Sequence, residues 1–264
     1  MSMRFVFFLL VAAVFCAAAN LVAAQDLAKG LAIAQAAKDR DKGFSSYMAS
    51  AKMILRDRSG TENVRDFIAK ALQIEGDGDR TSIAFASPLD IKGMTLLTHA
   101  HTNRDDDQWL YLPASSRTRR IASSSRSGSF ASSEFSYEDL VGHSIEKNDY
   151  AYLRDEPCPG APTRTCYVNE QRPKDPESGY KRMVGWLDSE DYRTYKVDYY
   201  DRSNALLKTL ESTNFKLHEG KYWRPMKMVM TNHRTGKSTV MQWASYDFAI
   251  KLKKNDMESF SLGH

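Results

Sequence analysis

The stretch Met226–Lys251 reads MKMVMTNHRTGKSTVMQWASYDFAIK and decides the fold class of this 264-residue chain. Met226, Met228 and Met230 alternate with other residues, so in an extended chain their side chains fall on one side. Arg234–Gly236 is a polar turn, and a second strand-like run follows it. Two such runs joined by a short turn predict an antiparallel β-hairpin with one methionine-lined face.

Strand-like runs separated by turns recur along most of the chain. Asn63–Glu75 has apolar residues at helical spacing, but the glycine-containing turn Gly76–Asp79 directly after it favours a hairpin. Thr118–Ala122 is interpreted as the return strand of the run that ends at Leu112. The other predicted strands are Ser45–Arg56, Thr81–Phe85, Gly93–His99, Gln108–Leu112, Arg164–Asn169, Lys181–Leu187, Tyr192–Tyr200, Ala205–Leu217, Met226–Asn232 and Ser238–Lys251.

One helix precedes these strands. Asp26–Asp41 is rich in alanine, and Leu27, Leu31 and Ala34 recur at helical spacing. The fold class is therefore mainly β, with about eleven antiparallel strands and a flanking helix. A long meander must bury one face of its sheet, which leaves a barrel, a sandwich, or a strongly curved open sheet with the helix against its inner face.

The N-terminal residues are typical of an export signal. Arg4 is followed by the apolar run Phe5–Cys16, and small residues precede a cut expected after Ala24. The apolar run is too short for a permanent membrane span. We therefore expect a signal peptide over residues 1–24, a single domain over residues 25–264, no transmembrane span in the mature chain, and a periplasmic location.

The charge and the cysteines of the chain indicate its expected partners and its compartment. Lysine and arginine total 37 and acidic residues 33, and they are interspersed. Without a dense basic stripe, nucleic acid is not the expected partner. Cys16 leaves with the signal, and Cys158 and Cys166 remain around a turn-forming CPGAPTRTC loop. In an oxidising compartment a disulfide is the expected outcome, because neither further metal ligands nor a C-x-x-C spacing is present.

The sequence contains no complete motif for a catalytic or a metal site. The serine-rich run Ala114–Ser136 has no G-x-S-x-G nucleophile pattern, and Ser144 with Lys147 has S-x-x-K spacing without its companion motifs. A triad assembled in space from a serine, His143 and an acid remains open. His99 and His101 share a strand face, yet a strand end followed by an acidic turn explains them without metal. No catalytic residue, metal or cofactor is therefore assigned.

Several segments resemble the outer-membrane lipoprotein-sorting protein family, in the LolA-like branch found beside RND-type exporters. The resemblance extends over the mature chain. It is carried by FASPLDIKGMTLLTH (Phe85–His99), DDQWLYLP (Asp106–Pro113), RRIASSSRSGSFASSEFSYEDL (Arg119–Leu140), VDYYDRSNALLKTL (Val197–Leu210) and YWRPMKMVMTNHRTGKST (Tyr222–Thr239).

The resemblance implies an incomplete antiparallel β-barrel that is closed by helices and encloses an apolar cavity. It also implies a non-enzymatic carrier that takes a lipid, a lipoprotein acyl chain or another apolar cargo between an inner-membrane exporter and the outer membrane. An RND-type transporter is the implied partner. Two alternatives stay open: a lipid-cleaving esterase or phospholipase on the same fold, and a cargo-free accessory protein that docks to a transporter.

If the family's cavity is present, aromatic and methionine side chains of the strands are its expected lining, because flexible thioethers suit varied apolar partners. Packing in an ordinary core is the competing interpretation for each of them. The candidates are Trp109, Tyr111, Phe130, Phe135, Trp186, Tyr195, Trp223, Met226, Met228, Met230 and Trp243.

The chain has one local concentration of basic residues, formed by Arg117, Arg119, Arg120 and Arg126. Guanidinium groups bind phosphates and carboxylates in forked geometry, so these residues are candidates for contact with a lipid headgroup or a partner protein. Internal ion pairs with the nearby acids Glu134, Glu138 and Asp139 are the alternative.

Overall fold

The computed structural model describes residues 24–142, 144–259 and 262. The predicted signal peptide lies outside the described residues except for residue 24, and so does His143. Helix α1 covers residues 24–41. None of the helices in these ranges has the length and apolar character needed to cross a membrane.

Thirteen strands follow the helix. They are β1 (Ser46–Arg56), β2 (Glu62–Leu72), β3 (Arg80–Phe85), β4 (Thr95–His99), β5 (Asp107–Leu112), β6 (Arg117–Arg120), β7 (Asn148–Cys158), β8 (Ala161–Pro173), β9 (Tyr180–Asp188), β10 (Thr194–Asp201), β11 (Leu206–His218), β12 (Tyr222–Asn232) and β13 (Ser238–Asp247).

The strands form one sheet in the order β6-β5-β4-β3-β2-β1-β13-β12-β11-β10-β9-β8-β7. Every neighbouring pair is antiparallel. Consecutive strands are neighbours in the sheet except β6 and β7, whose connection runs from one edge of the sheet to the other. Strands β1 and β13, from the two ends of the strand series, pair at the centre. The predicted antiparallel meander is confirmed, with thirteen strands in place of about eleven.

Strand β7 was not predicted. Its second half, Arg154–Cys158, contains three charged residues and Pro157, a composition that indicates a loop. As an edge strand it tolerates proline and charge, because one side of its backbone makes no ladder hydrogen bonds. The sequence of this edge strand therefore has the composition of a polar loop.

The sheet is strongly curved. Leu96 of β4 and Met183 of β9 belong to one buried cluster, although eight strand-to-strand steps separate β4 from β9 in the sheet order. In a flat sheet those steps would span about 38 Å, at about 4.8 Å each. The strand residues of the cluster come from the same face of the sheet, so this face is concave, as in the predicted half-barrel.

Helix α1 packs on the concave side of β7 and β8, where the Lys29 ammonium lies 3.4 Å from the centroid of the Tyr152 ring and 5.4 Å from that of the Tyr167 ring. A Cβ atom on Gly30 would lie only 2.6 Å from the backbone nitrogen of Tyr152, so glycine permits this close approach. The Asn169 amide donates to the Gly30 carbonyl at 3.0 Å. Leu27 and Leu31, which recur at helical spacing, are about half exposed. The helix is fixed instead through Gly30 and the buried Ile33.

The convex face carries clusters of its own. Cys158 and Cys166 form the predicted disulfide. They pack with Val168 and Trp186, which lie opposite each other on β8 and β9. On the same face, near β2 and β4, Met257 from the C-terminal segment is buried against Leu72 and Leu97. Both faces of several strands are therefore apolar and buried.

Candidate functional site

A row of methionines crosses the centre of the concave face. Met228 of β12 pairs with Met241 of β13, and Met241 pairs with Met53 of β1. Met226 and Met230 lie on the same face of β12 because residues two apart on a strand point the same way. Four of these five side chains are buried, and Met228 is only partly buried. The alternation predicted from the sequence places these thioethers together on the inner wall.

Trp243 extends this wall along β13. Its ring makes an edge contact with Phe67 at a centroid distance of 5.4 Å and a tilted contact with Tyr246 at 5.4 Å. The indole Nε1 is buried and has no hydrogen-bond partner among the described residues. Partly exposed apolar side chains of this wall include Val197 of β10, Met228 of β12 and Trp243 of β13.

The long connection from β6 to β7 crosses the concave face, and its described residues, 121–142 and 144–147, form the bridging segment. Phe130 has no exposed surface and stacks on Phe85 at a centroid distance of 5.7 Å. Phe135 is 2% exposed and belongs to the same core cluster. The two predicted cavity aromatics of this segment therefore act as anchors that fill one end of the half-barrel.

Buried polar contacts hold the bridging segment in place. The Lys208 ammonium of β11 lies 2.5 Å from the Asp139 carboxylate, and their side chains are 5% and 2% exposed. The Tyr180 hydroxyl donates to the same carboxylate at 2.8 Å. The Glu134 backbone N–H donates to Thr239 at 2.9 Å, and the Asn232 amide donates to the Glu134 carboxylate at 2.7 Å. The segment is thereby bonded to β9, β11, β12 and β13.

Serines of the bridging segment form turns. The Ser133 hydroxyl donates to the Phe130 carbonyl at 2.7 Å, and Ser129 and Ser136 form a single antiparallel bridge. The Ser144 hydroxyl donates to the His101 carbonyl at 3.1 Å. These hydroxyls satisfy backbone carbonyls of a compact loop, as expected of small polar residues in turns. The possible triad partner His143 lies outside the described residues.

Arg126 ties the two edges of the curved sheet together. Its guanidinium lies 3.1 Å from Asp175, in the loop between β8 and β9, and 3.7 Å from Asp106, in the loop between β4 and β5. Lys147 lies 2.5 Å from the same Asp106. The Arg126 side chain is 10% exposed, so it is a structural cross-link and not a free surface cation.

Two clefts flank the bridging segment. One has a volume of about 500 Å³ and lies towards β8–β10, where Tyr180, Met183 and Tyr199 form its apolar wall. The other, of about 530 Å³, opens beside Ser129, Phe135 and Lys208. Glu138 borders both clefts. Burial raises the pKa of the Glu138 carboxyl, which accepts hydrogen bonds from Ser178 and Gly179.

The other arginines of the predicted basic concentration lie on the edge strand β6. Arg117 and Arg119 are exposed. Arg120 forms an ion pair with Asp107, which also receives a hydrogen bond from Arg104 at 2.8 Å. Burial alone would raise the pKa of Asp107, but the hydrogen bonds from Arg120 and Arg104 outweigh it and lower that pKa to about 2.

Five of the predicted cavity residues lie on the convex face instead. Trp109 makes an edge contact with His99 and packs beside Met257, and Tyr111 shares its face of β5. Trp186 and Tyr195 pack with the disulfide. These residues, together with Trp223 beneath the Arg193 guanidinium at 4.4 Å, do not line the concave wall. The structure brings together Phe130, Phe135, Met228, Met230 and Trp243 in one cluster, and Met226 lies on the same face of β12.

A set of aromatic rings at the α1 end of the concave face was not identified from the sequence. The Arg224 guanidinium lies 5.6–5.9 Å from four ring centroids, those of Phe44, Tyr47, Tyr222 and Phe248. It also lies 2.5 Å from the Asp41 carboxylate at the end of α1. Tyr222 and Arg224 continue the alternation of Met226 and Met228, which was the available sequence signal.

Histidines and acids that could bind metal have other partners. His99 bonds the Met257 carbonyl at 2.6 Å, while His101 bonds Asp77 at 2.8 Å. Asp188, Glu190 and Asp191 place carboxylate oxygens within 4.8 Å of one another. Arg164 and Arg193 each lie 2.7 Å from Asp188 and supply positive charge to this acidic group.

Known proteins resemble this chain in sequence and in fold. A family model described as "Uncharacterized protein" matches residues 77–262. A crystal structure assigned as an outer membrane lipoprotein-sorting protein domain from Vibrio parahaemolyticus is 45% identical, with a TM-score of 0.86, and the match covers 89% of this chain and 99% of that one. A search of curated proteins found no match.

Two further solved structures share the fold. A DUF1329 family protein from Desulfovibrio piger is 28% identical with a TM-score of 0.83, over 90% of this chain and 99% of that one. A LolA superfamily protein from Nitrosomonas europaea is 19% identical with a TM-score of 0.69, over 88% of this chain and 98% of that one. The last match concerns the fold alone.

Proposed function

Because this chain belongs to the outer membrane lipoprotein-sorting protein family, we propose that it is a carrier that binds the alkyl part of a lipid or of an acylated lipoprotein on its concave face. The observation that carries the proposal is the thioether and indole wall of β12 and β13 inside a LolA-like half-barrel. No chemical step is part of it.

Flexible side chains on this wall suit cargo of variable shape. Methionine has three rotatable bonds and a polarisable sulfur, so Met226 and Met228 adapt to different alkyl chains. Each methylene group that leaves water stabilises the complex by about 0.8 kcal/mol. Several buried methylenes therefore suffice for stable binding, and release requires a site that offers the chain at least as much apolar contact.

In this proposal the bridging segment determines where the cargo lies. Phe130 and Phe135 fill the end of the concave face that borders the β1–β2 and β12–β13 turns, and buried bonds keep them there. The alkyl chain lies beside them along Met228 and Trp243, towards α1. The fixed segment then limits how deeply a chain enters.

We further propose a periplasmic location and transfer of the cargo between an inner-membrane exporter, of the RND type, and the outer membrane. The predicted signal over residues 1–24 supports export. The Cys158–Cys166 disulfide supports an oxidising compartment, because disulfides persist there and are rare in the cytosol.

A matched pair of substitutions tests the cargo surface. Met228→Asp places a carboxylate in the concave wall, whereas Val229→Asp places the same group on the convex face one residue away. An uncompensated charge against an alkyl chain costs several kcal/mol, and about 1.4 kcal/mol is a tenfold change in Kd. We expect Met228→Asp to weaken binding of a fluorescent fatty acid at least tenfold, while Val229→Asp binds like wild type.

Two results would count against the proposal. One is purified wild-type protein that neither contains extractable lipid by mass spectrometry nor binds the probe. The other is equal loss of probe binding in the two variants, since the concave wall would then have no special role. Circular dichroism on each variant establishes that it is folded before binding is compared.

A further inference from the structure

We propose that β6 is a docking strand, to which an extended acidic segment of a partner protein adds as a further strand of the sheet. The exposed backbone edge of Arg117–Arg120 would supply the hydrogen bonds, and its arginines would select the partner by charge. Strand addition at an exposed edge is a recurring mode of peptide recognition.

The two edge strands differ in what packs against them. On the concave side of β7, α1 approaches the backbone of Tyr152 so closely that Gly30 is required, and the Lys29 ammonium lies 3.4 Å from the centroid of the Tyr152 ring. At the β6 edge all four residues are exposed. Short length and charge usually protect such an edge from other strands. The three arginines of β6 therefore oppose neutral or basic strands and leave the edge open to an acidic one.

The register shows which backbone groups of β6 are available. The Ile121 N–H donates to the Gln108 carbonyl at 2.8 Å, so hydrogen-bonded pairs alternate from there along β5 and β6. By this alternation Arg119 and Arg117 bond to β5. The N–H and C=O groups of Thr118 and Arg120 therefore point away from the sheet, towards the open edge.

Charge on this edge selects the occupant. Arg117 and Arg119 lie opposite Leu112 and Leu110, so both project from the concave side of the edge. Within the described ranges neither of them forms an ion pair, whereas Arg120 on the other side pairs with Asp107. Pairing of β6 with a second copy of itself would bring arginines together, which is unfavourable. A strand with acidic residues at alternate positions offsets these charges.

A synthetic peptide tests strand addition without any lipid, so its result is independent of the proposed carrier function. The probe is an end-capped, fluorescein-labelled peptide of alternating glutamate and valine, and the control peptide has lysine in place of glutamate. We expect fluorescence anisotropy to show binding of the acidic peptide only. Amide hydrogen exchange of Thr118 and Arg120 should slow at least tenfold in the complex.

Variants separate backbone pairing from charge attraction. Thr118→Pro removes the outward N–H and spares the hydrogen bonds to β5, while Thr118→Ala keeps that N–H. Arg119→Glu reverses one charge at the edge, and Arg58→Glu makes the same change at an exposed turn residue between β1 and β2. We expect Thr118→Pro and Arg119→Glu to weaken peptide binding at least tenfold, and Thr118→Ala and Arg58→Glu to leave it unchanged.

A modified peptide tests backbone pairing even if the Thr118→Pro variant does not fold. N-methyl groups on alternate amides of the acidic peptide keep its charge but remove the N–H donors along one backbone edge. With that edge against β6 the peptide forms no hydrogen-bond ladder, so we expect it not to bind. Equal binding of the methylated and unmethylated peptides would overturn the proposal. So would Arg119-dependent binding of phosphatidylglycerol vesicles without binding of the acidic peptide, which would assign the arginines to lipid headgroups.

Discussion

The buried ion pair between Lys208 and Asp139 gives a prediction about how the bridging segment is held. Lys208→Met keeps most of the aliphatic stem and removes the ammonium group that lies 2.5 Å from the carboxylate. Asp139 would then be a buried anion whose remaining donors, among the described residues, are Tyr180 and the Ser136 backbone. The substitution therefore tests whether this segment depends on a charge contact inside the core.

The expected loss of stability follows from the burial of the Lys208–Asp139 pair. The two side chains are 5% and 2% exposed, so water screens their attraction weakly. Removing one partner of such a pair costs about 3–5 kcal/mol, because the remaining charge has no compensation. For a chain of this size, 1 kcal/mol corresponds to roughly 2–4 °C in Tm, so we expect Tm to fall by roughly 6–20 °C.

Urea unfolding followed by circular dichroism measures the effect, and hydrogen exchange of residues 127–140 reports whether the segment is released. Lys52→Met is the control, because the Lys52–Asp66 pair is 4.0 Å apart and its side chains are 59% and 49% exposed. Such a surface pair contributes about 0–1 kcal/mol. The double variant Lys208→Met/Asp139→Asn should be more stable than Lys208→Met, since it removes the unpaired charge as well.

One outcome would refute this reasoning. If Lys208→Met lost no more stability than Lys52→Met, and the exchange of residues 127–140 did not change, the buried pair would not hold the segment. The location of Phe130 and Phe135 would then depend on apolar contacts alone.

Three further predictions concern stability. Burial, with the nearby Asp41 carboxylate, raises the pKa of Asp79 to about 6. The folded protein therefore binds this proton more tightly than the unfolded chain does, and stability should fall as pH rises from about 4 to about 6; Asp79→Asn should remove this decline in urea titrations and be more stable than wild type at pH 7. Cys158→Ser should cost about 2–3 kcal/mol of unfolding free energy, because the disulfide closes a short loop, and thiol reductant should then have no further effect. Gly30→Ala should loosen α1 despite alanine's higher helix propensity, since its Cβ would lie 2.6 Å from the Tyr152 backbone; faster hydrogen exchange over residues 24–41 measures this, and unchanged exchange would contradict the close packing.

Much of the fold was predictable because the chain repeats one local pattern. Alternation and turn residues located the hairpins of β1–β5 and β8–β13, and Thr118–Ala122 was placed as the strand that became β6. Strand β7 escaped prediction because an edge strand carries the charges and proline of a loop. The tertiary route of the bridging segment could not be predicted from the sequence, since it depends on how strongly the sheet curves and on the distance left between its two edges.

The candidate site was only partly predictable, for a related reason. Met226, Met228 and Met230 were correctly placed on one face, because alternation within a strand is local. Which face is concave is not local information. Trp186 and Val168 are as apolar as the inner wall but lie under the disulfide on the convex side. A sheet buried on both faces removes the hydrophobic contrast that would distinguish the two.

Arg126 shows why the role of a charged residue is hard to predict from the sequence. In the sequence it belongs to one cluster with Arg117, Arg119 and Arg120. In the structure its side chain is 10% exposed and joins the two edges, whereas Arg117 and Arg119 are exposed at one of them. Its acidic partners come from distant loops, so proximity along the chain does not reveal them.

The central claim is that alkyl cargo lies against the concave wall, and the tryptophans allow a direct test. Trp243 is on that wall, while Trp109, Trp186 and Trp223 are on the convex face. The measurement is fluorescence quenching by a doxyl-labelled fatty acid in two single-tryptophan variants, one that keeps Trp243 and one that keeps Trp186, with phenylalanine at the other positions. We predict saturable quenching of Trp243 and none of Trp186. Equal quenching of both, or quenching of Trp186 alone, would contradict the account.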